Sequence, residues 1–321
     1  MNNPLISIIL PTYNVEKYIA RALESCINQS FKDIEIIVVD DCGSDKSINI
    51  AKEYASKDDR IKIIYNEENL KLLRARYEGV KAATSPYIMF LDPDDYLELN
   101  ACEECVKILD KQKVDLICFN YYECDDSKKE WKFFESVFYN NENFCYFLFS
   151  KYPKFSWNIF NKILKKELYL KAFNAISLQP NEKNTMAEDF LLVLHSLKFI
   201  NTIGTIKKYL YNYNISNENS STREKKDLNK IKSYIHDLSF VSEKISNLTQ
   251  NQTNKLHSLI FKIAIYDLNI HKIDLTYKHT NRNFFKKIFL KIQRKKIKIK
   301  KNIQIKSAKN ILKEANVSHC F

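Results

Sequence analysis

The sequence predicts an α/β protein with a mostly parallel central sheet, and two observations support this fold class. Short apolar runs alternate with stretches in which apolar residues recur at helical spacing. The run at residues 87–91 is too short for a typical helix and follows a turn signal at Ser85-Pro86, so it is predicted to be a buried strand. Regular alternation of such strands with helices indicates a parallel sheet covered on both faces.

The predicted elements follow one another along the chain. The predicted strands cover residues 5–10, 34–39, 61–65, 87–91 and 114–120. The predicted helices cover residues 15–29, 47–55, 72–83, 98–111, 225–247 and 254–271. An aromatic stretch near residues 131–139 interrupts the alternation, and residues 214–222 are predicted to form a mobile polar loop.

Three carboxylates, those of Asp92, Asp94 and Asp95, follow the strand at residues 87–91. Pro93 disfavours a helix here, so the carboxylates should project from the edge at which open α/β sheets bind ligands. No nearby Lys or Arg in the sequence neutralises them. We therefore predict a divalent cation, Mg²⁺ or Mn²⁺, that substrate phosphates also bind. The alternative is that Asp94 or Asp95 caps the helix that follows.

Glycine is scarce, and this limits how the chain can bind a nucleotide. The only glycines are Gly43, Gly79 and Gly204, which lie far apart. Neither a dinucleotide-binding glycine motif nor a Walker loop can be built from them. The phosphates of a bound nucleotide would have to be held by a metal ion and by side chains.

Polar turns also follow the first two strands. Tyr13 is a candidate for stacking on a base, and Asp41 is a candidate acceptor of hydrogen bonds from a base or a ribose. The structural alternatives are a core tyrosine and a turn or capping aspartate. Because parallel strands end at one edge of the sheet, these residues should lie near the carboxylate cluster.

A second acidic pair, Glu188-Asp189, opens an apolar helix within residues 182–199. One carboxylate at a helix start is usually a cap, and the second is then available as a general base. His195 on the same helix is predicted to be a packed histidine rather than a ligand. Upstream lysines suit either one wall of an acceptor cleft or a solvated helix face. These are Lys162, Lys165 and Lys166.

The composition suggests a cytosolic protein. Hydrophobic residues make up 45% of the chain, yet no apolar run approaches the roughly 20 residues that span a bilayer, and the start lacks a basic region. The eight cysteines are scattered. Since Cys102-x-x-Cys105 has no second pair to complete a zinc site, we expect reduced thiols rather than disulfides or zinc.

The net charge of +12 resides in the C-terminal segment. Residues 275–313 contain 14 Lys and Arg and no Asp or Glu, which leaves 37 basic and 39 acidic residues elsewhere. Phe and Ile lie among these lysines, a pattern that favours an anionic membrane surface at roughly 1 kcal/mol per basic residue. Nucleic acid would also attract this charge, but the apolar content favours the membrane. A disordered tail is the remaining alternative.

Five motifs, in order and spacing, resemble those of the inverting glycosyltransferases of family 2, which have the GT-A fold. They are SIILPTYN, IEIIVVDD, NLKLLRARYEGV, YIMFLDPDDYL and AEDF. The resemblance is dense over roughly the first 120 residues. It is greatest to bacterial lipo-oligosaccharide β-1,3-galactosyltransferases, which build ganglioside-like outer cores. It therefore implies a GT-A nucleotide-sugar-binding domain of the Rossmann-like type, a UDP-galactose donor, an N-acetylgalactosamine acceptor, and Mn²⁺ or Mg²⁺.

The resemblance also implies roles for individual residues. It assigns Pro11, Thr12, Tyr13, Asp41, Arg76 and Asp92 to donor binding, with Pro11, Tyr13 and Asp41 at the uracil and ribose. Asp92 and Asp94 match the D-x-D metal motif, and Asp189 matches the catalytic base. The chain departs from the family pattern at four places: Lys71 replaces a glycine, Tyr77 an asparagine, Cys42-Gly43 a Gly-Ser pair, and Asn214 an arginine. The Q-x-x-R-W motif of processive members is absent, which argues for single sugar additions.

These inferences together define the expected organisation. Residues 1–120 form the donor-binding half and 121–215 the acceptor-binding half, followed by a helical extension at 216–274 and a basic, membrane-associating tail at 275–321. The expected partners are a nucleotide sugar, a lipid-linked oligosaccharide acceptor and the inner face of the cytoplasmic membrane, without nucleic acid.

Other activities stay open at this point. UDP-glucose, UDP-N-acetylglucosamine or UDP-N-acetylgalactosamine would serve the same mechanism. A sugar nucleotidyltransferase is disfavoured because its glycine-rich, basic first loop is missing at residues 11–14. A non-catalytic membrane-docking or carbohydrate-binding protein is the third alternative.

Overall fold

The computed structural model describes residues 3–151, 157–217, 228–250, 254–278 and 284–314. Within these ranges the chain forms one mixed sheet, with helices between its strands and a group of long helices after it. The strands are β1 Ile6–Thr12, β2 Ile34–Asp40, β3 Ile61–Tyr65, β4 Tyr87–Phe90, β5 Tyr96–Leu97, β6 Leu116–Cys124, β7 Lys128–Trp131, β8 Phe138–Asn140, β9 Lys162–Lys165 and β10 Thr202–Asn214. The helices are α1 Ile19–Ile27, α2 Ser47–Ala55, α3 Lys71–Ala82, α4 Ala101–Lys111, α5 Asn141–Lys151, α6 Lys166–Ala175, α7 Glu188–Ser196, α8 Leu228–Gln250, α9 Lys255–Lys278 and α10 Phe284–Glu314.

The main path through the sheet is β3-β2-β1-β4-β9-β6-β10-β5, with β7 on β6 and β8 on β10. Strands β1 to β4 pair in parallel, as do β6 and β10. Strand β9 is antiparallel to both β4 and β6, so the two parallel groups run in the same direction. Most paired residues belong to parallel ladders, which confirms the predicted mostly parallel sheet. All six codirectional strands end at one edge.

Close packing of α3 on the sheet depends on a small residue. Gly79 lies where α3 crosses β1 and β2, and an added Cβ there would clash with the Ile9 side chain and lie 2.9 Å from Val39 Cγ2. Ile9 and Val39 are both fully buried. This contact holds α3 against the sheet, and its N-terminus therefore lies near the ends of β1 and β2.

The long C-terminal helices pack beside this domain. Helix α9 packs on α8 and α10, and α8 packs on α7. Arg294 of α10 pairs with Asp274 of α9, and Lys301 pairs with Asp267. Residues 284–314 are thus helical, which excludes the disordered-tail alternative for them. None of the described helices is long and apolar enough to cross a bilayer.

Several sequence predictions can be checked in the described residues. Helix α2 and strand β3 have the predicted bounds, whereas the helix after the acidic cluster starts at Ala101 instead of residue 98. Asn214 ends β10, and residues 215–217 form an irregular segment in which Ser216 is exposed and Asn217 is buried. The rest of the predicted loop, residues 218–222, lies outside the described residues. The seven described cysteines are free thiols, as predicted, and Cys320 lies outside the described residues.

Candidate active site

A cavity of about 1220 Å³ opens at the carboxyl edge of the sheet. Its walls include residues from the ends of β1, β2, β4, β6 and β10, from the start of α7, and from α8 and α9. Seven of the eight predicted site residues line it, and the structure thus brings the candidates together. The seven are Pro11, Tyr13, Asp41, Arg76, Asp92, Asp94 and Asp189.

Thr12, the eighth candidate, is buried behind this cavity. It is 1% exposed, and its Oγ1 donates a hydrogen bond to the carbonyl oxygen of Leu10 at 3.0 Å. Its own carbonyl accepts from the amide of Asp41 at 3.0 Å. In this structure Thr12 therefore links the ends of β1 and β2 through its backbone.

Tyr13 and Asp41 differ in how much of each side chain is available. Tyr13 is 51% exposed, so the core-tyrosine alternative is wrong and its ring is accessible for stacking. The carboxylate of Asp41 accepts hydrogen bonds from Asn66 Nδ2 at 2.8 Å and from the amides of Leu70 and Lys71 at 2.8 and 3.1 Å. Burial raises its pKa, and these hydrogen bonds oppose that effect. Asp41 thus shapes the loop that leads into α3, although Leu70 and not Asp41 occupies the N-cap position of that helix.

Arg76 supplies the positive charge that the sequence around the acidic cluster lacks. It is 2% exposed, donates from Nη2 to Asp92 Oδ1 at 2.7 Å, and forms a second ion pair with Glu188. The local sequence has no basic partner for Asp92, as noted, but α3 brings Arg76 to it from outside that stretch. Burial opposes the charge on Arg76, but Asp92 and Glu188 keep its pKa raised. Burial also raises the pKa of Glu188, which the guanidinium opposes.

Asp94 and Asp95 have different surroundings although they are adjacent. Asp94 Oδ2 accepts from Asn217 Nδ2 at 2.8 Å, and burial together with the charge of Asp92 raises the pKa of Asp94. Asp95 is fully buried and accepts from the Tyr211 hydroxyl at 2.6 Å and the Asn214 amide at 2.7 Å. Asp95 therefore has a structural role that ties the end of β4 to β10.

The helix-cap alternative does not hold for either residue, because Asn100 occupies the N-cap position of α4. The carboxylates of Asp92 and Asp94 both line the cavity and offer hard oxygen ligands. Among the described residues no group of three or more His, Cys, Asp or Glu is close enough to hold a metal by itself. This donor set suits Mg²⁺ or Mn²⁺ bound by one or two carboxylates and completed by substrate phosphates.

Asp189 occupies the first turn of α7, beside the buried pair of Arg76 and Glu188. Its Oδ1 accepts from the Phe190 amide at 2.7 Å, and Ala187, the N-cap residue of α7, has a left-handed backbone with φ 63°. A non-glycine residue in that conformation is strained, and such strain clusters at functional sites. Burial raises the pKa of Asp189, whereas Arg76 and Lys162 lower it. The carboxylate at the cavity wall is thus a candidate proton acceptor.

Two sequence interpretations are settled away from the cavity. His195 is 1% exposed, its Nδ1 contacts the Leu191 carbonyl at 2.8 Å, and burial lowers its pKa to about 4, so it is the packed histidine that was predicted. The three candidate lysines form neither an acceptor wall nor a solvated helix face. Lys162 is buried on β9 and donates to Asn161 Oδ1 at 2.8 Å, and Lys165 pairs with Asp115 at 2.8 Å. Lys166 donates to the carbonyl of Ala83.

Sequence reasoning missed two parts of the cavity wall. One is aromatic and comes from β6, β7 and β10, whose only sequence signal was the stretch of aromatic residues that interrupted the alternation. The other comes from α8 and α9, which had no local signal for a site. The members of these two parts include Tyr121, Trp131, Tyr213, Lys230, Tyr234, His236 and His271.

Comparison with known proteins identifies the type of protein to which this chain is similar. A sequence model described as Glycosyl transferase family 2 matches residues 7–177. Two Bacillus subtilis proteins named as glycosyltransferases, EpsH and EpsJ, are 32% and 30% identical over 67% and 68% of this chain. The matches span 62% and 63% of those two proteins, so this chain covers less than two thirds of either.

Solved structures share the fold. The first 349 residues of S. aureus TarS, in complex with UDP-GlcNAc, superpose with a TM-score of 0.63 at 19% identity, covering 88% of this chain and 75% of that one. The mannosyltransferase PcManGT from Pyrobaculum calidifontis, in complex with GDP-Man and Mn²⁺, gives a TM-score of 0.53 at 13% identity, covering 96% and 86%. At these identities the likeness demonstrates the GT-A type of α/β fold.

Proposed function

This chain belongs to glycosyltransferase family 2, and on that premise we propose that it is an inverting enzyme that moves one sugar from a UDP-sugar to a hydroxyl of a glycan. One observation carries the proposal: a single cavity contains Tyr13, Asp92, Asp94 and Asp189. This reaction needs an aromatic ring that stacks on the base, carboxylates that bind the metal ion of the diphosphate, and a separate carboxylate that accepts a proton.

In the proposed mechanism Asp189 acts as the general base. Its carboxylate takes the proton of the acceptor hydroxyl while that oxygen forms a bond to the anomeric carbon of the donor sugar. The bond from that carbon to the diphosphate breaks on the opposite side, and UDP leaves with the bonding electrons. An α-linked donor therefore gives a β-linked product.

Buried partners would keep the acidic groups in position during this reaction. Arg76 holds Asp92 and Glu188, and Asn217 holds Asp94. Mn²⁺ or Mg²⁺ bound at Asp92 and Asp94 would supply charge stabilisation for the leaving diphosphate. Pro11, Tyr13 and Asp41 would contact the uracil and ribose, as the family resemblance implies.

For the substrates we propose UDP-galactose and a terminal N-acetylgalactosamine, joined by a β-1,3 linkage, on a lipid-linked lipo-oligosaccharide outer core. This proposal rests on the resemblance of the sequence motifs alone. TarS binds UDP-GlcNAc and PcManGT binds GDP-Man, so neighbouring folds accept different donors. UDP-glucose, UDP-N-acetylglucosamine and UDP-N-acetylgalactosamine are the alternatives to be compared.

A donor panel with metal-depleted and metal-restored enzyme tests the proposal. We expect UDP release that requires an acceptor sugar, stops on removal of the metal, returns with Mn²⁺ or Mg²⁺, and is fastest with UDP-galactose. Fastest turnover of another UDP-sugar would change the donor and keep the reaction class. Pyrophosphate release from UTP and a sugar phosphate would identify a nucleotidyltransferase, and no turnover of any donor would favour a non-catalytic role.

We further propose that α10 docks on an anionic membrane, at the inner face of the cytoplasmic membrane, where a lipid-linked acceptor would lie. An exposed apolar stripe runs along α10 on the side opposite the buried Leu290 and Ala308. Residues spaced by three, four or seven positions share one side of a helix, so the stripe is continuous. Exposed lysines border it and would contact acidic headgroups. The stripe consists of Phe289, Ile292, Ile299 and Ile303, and the lysines are Lys295, Lys296, Lys300 and Lys306.

Vesicle sedimentation tests this docking. We expect the full chain to pellet with vesicles that contain phosphatidylglycerol, and serine substitutions at all four stripe positions to abolish pelleting. Leu99→Ser, which removes an exposed apolar side chain elsewhere, is the control and should pellet like the wild type. Equal pelleting of the stripe variant would refute docking through α10.

A further inference from the structure

Four aromatic side chains line the cavity where β6, β7 and β10 end, and we name them the aromatic wall. Strand register explains why they meet. Tyr121 of β6 is the cross-strand partner of Trp131 of β7, and Tyr213 of β10 lies beside Glu123 of β6. Paired residues, and residues two apart on one strand, project from the same face of a sheet. The members of the wall are Tyr121, Trp131, Phe160 and Tyr213.

The rings of the aromatic wall form two flat surfaces that meet at a right angle. The Tyr121 and Trp131 rings are 9° from parallel with centroids 6.1 Å apart, and those of Phe160 and Tyr213 are 5° from parallel at 5.5 Å. Tyr121 and Phe160 meet edge to face at 85°. These two are almost completely buried, whereas Trp131 and Tyr213 are only half-buried. Each surface thus has one half-buried ring next to one buried ring, and Lys129 Nζ lies over the Trp131 ring at 4.7 Å from its centroid.

Polar groups lie beside the aromatic wall. Glu123 accepts a hydrogen bond from Trp131 Nε1 at 2.9 Å, which fixes the orientation of the indole, and Lys129 Nζ lies 3.4 Å from the same carboxylate. Glu123 and Asn158 line the same cavity. A flat aromatic surface with adjacent carboxylate and amide groups matches a pyranose ring, which has an apolar C–H face and a rim of hydroxyls.

We propose that the aromatic wall is the subsite for the acceptor sugar, with Trp131 against the C–H face of the ring and Glu123 accepting from one of its hydroxyls. This inference rests on the proposed function, because Asp189 lines the same cavity and would act on another hydroxyl of that sugar. The acceptor class is then a pyranose with an open C–H face. Simple alcohols, which lack such a face, would be poor acceptors.

Kinetics with the full chain test the inference, with UDP-galactose as donor and the methyl glycoside of N-acetylgalactosamine as acceptor. We expect Trp131→Ala to raise the acceptor KM by about tenfold or more, as the loss of an aromatic contact predicts. Trp131→Phe should restore most of the affinity. The donor KM should match that of the wild type. Tyr65→Ala, which removes an aromatic ring that is 57% exposed on β3, is the control.

The outcomes distinguish a failure of the proposed acceptor subsite from a failure of the proposed glycosyltransferase function. An unchanged acceptor KM in Trp131→Ala, or an equal rise of the donor KM, would overturn the inference. If the wild type consumes no donor, the proposed function fails, and saturation-transfer NMR with methyl glycosides of galactose, glucose and their N-acetylamino forms then tests the wall directly. Glycoside binding that Trp131→Ala loses and Tyr65→Ala keeps would support the subsite, and no binding that depends on Trp131 would overturn it.

Discussion

At the scale of single residues, the acidic cluster divides into groups with different partners. Asp92 pairs with Arg76, Asp94 accepts from Asn217, and Asp95 is buried against Tyr211. Only the first two line the cavity. One guanidinium, that of Arg76, thus neutralises both Asp92 and Glu188. Its removal should lower the free energy of unfolding by a measurable amount.

Arg76→Met should destabilise the protein strongly. Removal of one partner from a buried ionic group leaves uncompensated charge and typically costs about 3–5 kcal/mol. Urea unfolding measures the change. Lys81→Met, which removes an exposed partner of Glu78 on the same helix, is the matched control and should cost less than about 1 kcal/mol. Equal stability of the two variants would show that the Arg76 pairs do not hold the site together.

Lys71→Gly should stabilise the protein. Lys71 has a left-handed backbone with φ 63°, at the position where the family resemblance expects glycine. Such a conformation costs a side-chain-bearing residue about 1–2 kcal/mol, so we expect a gain of about 1 kcal/mol in the free energy of unfolding. Lys52→Gly, within α2, should instead lower the free energy of unfolding by about 1 kcal/mol. Destabilisation by both substitutions would contradict the strain argument.

The residue types and order of the acidic positions were predictable from sequence, but their partners were not. Arg76 reaches Asp92 from another helix, and Asn217 reaches Asp94 from beyond the end of β10. Such pairs depend on tertiary packing, which local sequence patterns do not encode. Thr12, which was also assigned to donor binding, instead directs its hydroxyl to the carbonyl of Leu10 on the same strand, a contact that needs no tertiary packing.

At the scale of secondary structure, β2 carries a buried ionic network. Glu35 is 3% exposed, accepts from Ser7 at 2.6 Å and the Thr84 amide at 2.6 Å, and pairs with Lys62 at 2.8 Å. Burial alone would raise the pKa of Glu35, but these hydrogen bonds outweigh it and lower the pKa. A lowered folded-state pKa stabilises the fold above the unfolded-state pKa, and this stabilisation is lost as the pH falls through the folded-state value.

Glu35→Gln should therefore lower the free energy of unfolding most at neutral pH. We expect a loss of roughly 1.5–3 kcal/mol at pH 7, the usual range for hydrogen bonds to charged groups. The difference from the wild type should shrink as the pH falls below about 4.3, the ordinary pKa of Glu, and should vanish below the lowered folded-state pKa. Denaturant unfolding across this pH range provides the measurement. A difference that stays constant with pH would exclude ionised Glu35 as its cause.

Elements with clear local periodicity were predicted well, and short antiparallel elements were not. Strands β1 to β4 and helices α1 to α3 were predicted in order because their apolar runs are long and separated by turns. Strand β9 has four residues, three of them buried, and exists because β4 and β6 flank it on both sides. From the sequence alone, the lysines of β9 were compatible with a solvated helix face. Strand β8, in the aromatic stretch, likewise depends on pairing with the distant β10, whereas β7 forms a hairpin with the preceding β6.

At the scale of the whole molecule, the cavity draws its walls from the parallel half of the sheet, from the strands after it, and from the C-terminal helices. Residues that the resemblance of the first 120 residues assigned to donor binding, among them Tyr13, Asp41 and Arg76, line this cavity. The walls from α8 and α9 required the folded chain, because α8 is positioned by packing on α7 and α9 by packing on α8. Asp189 at the start of α7 lies where these walls meet, and it is the residue on which the proposed reaction depends.

The most direct test of the proposed mechanism is to measure sugar transfer by the Asp189→Asn variant. We predict that product formation falls by about two to four orders of magnitude, the usual contribution of a general base, while UDP and Mn²⁺ bind as in the wild type. Asp110→Asn, an exposed substitution on α4, should leave both transfer and binding unchanged. Full transfer activity in Asp189→Asn would contradict the assignment of the base and, with it, the proposed mechanism.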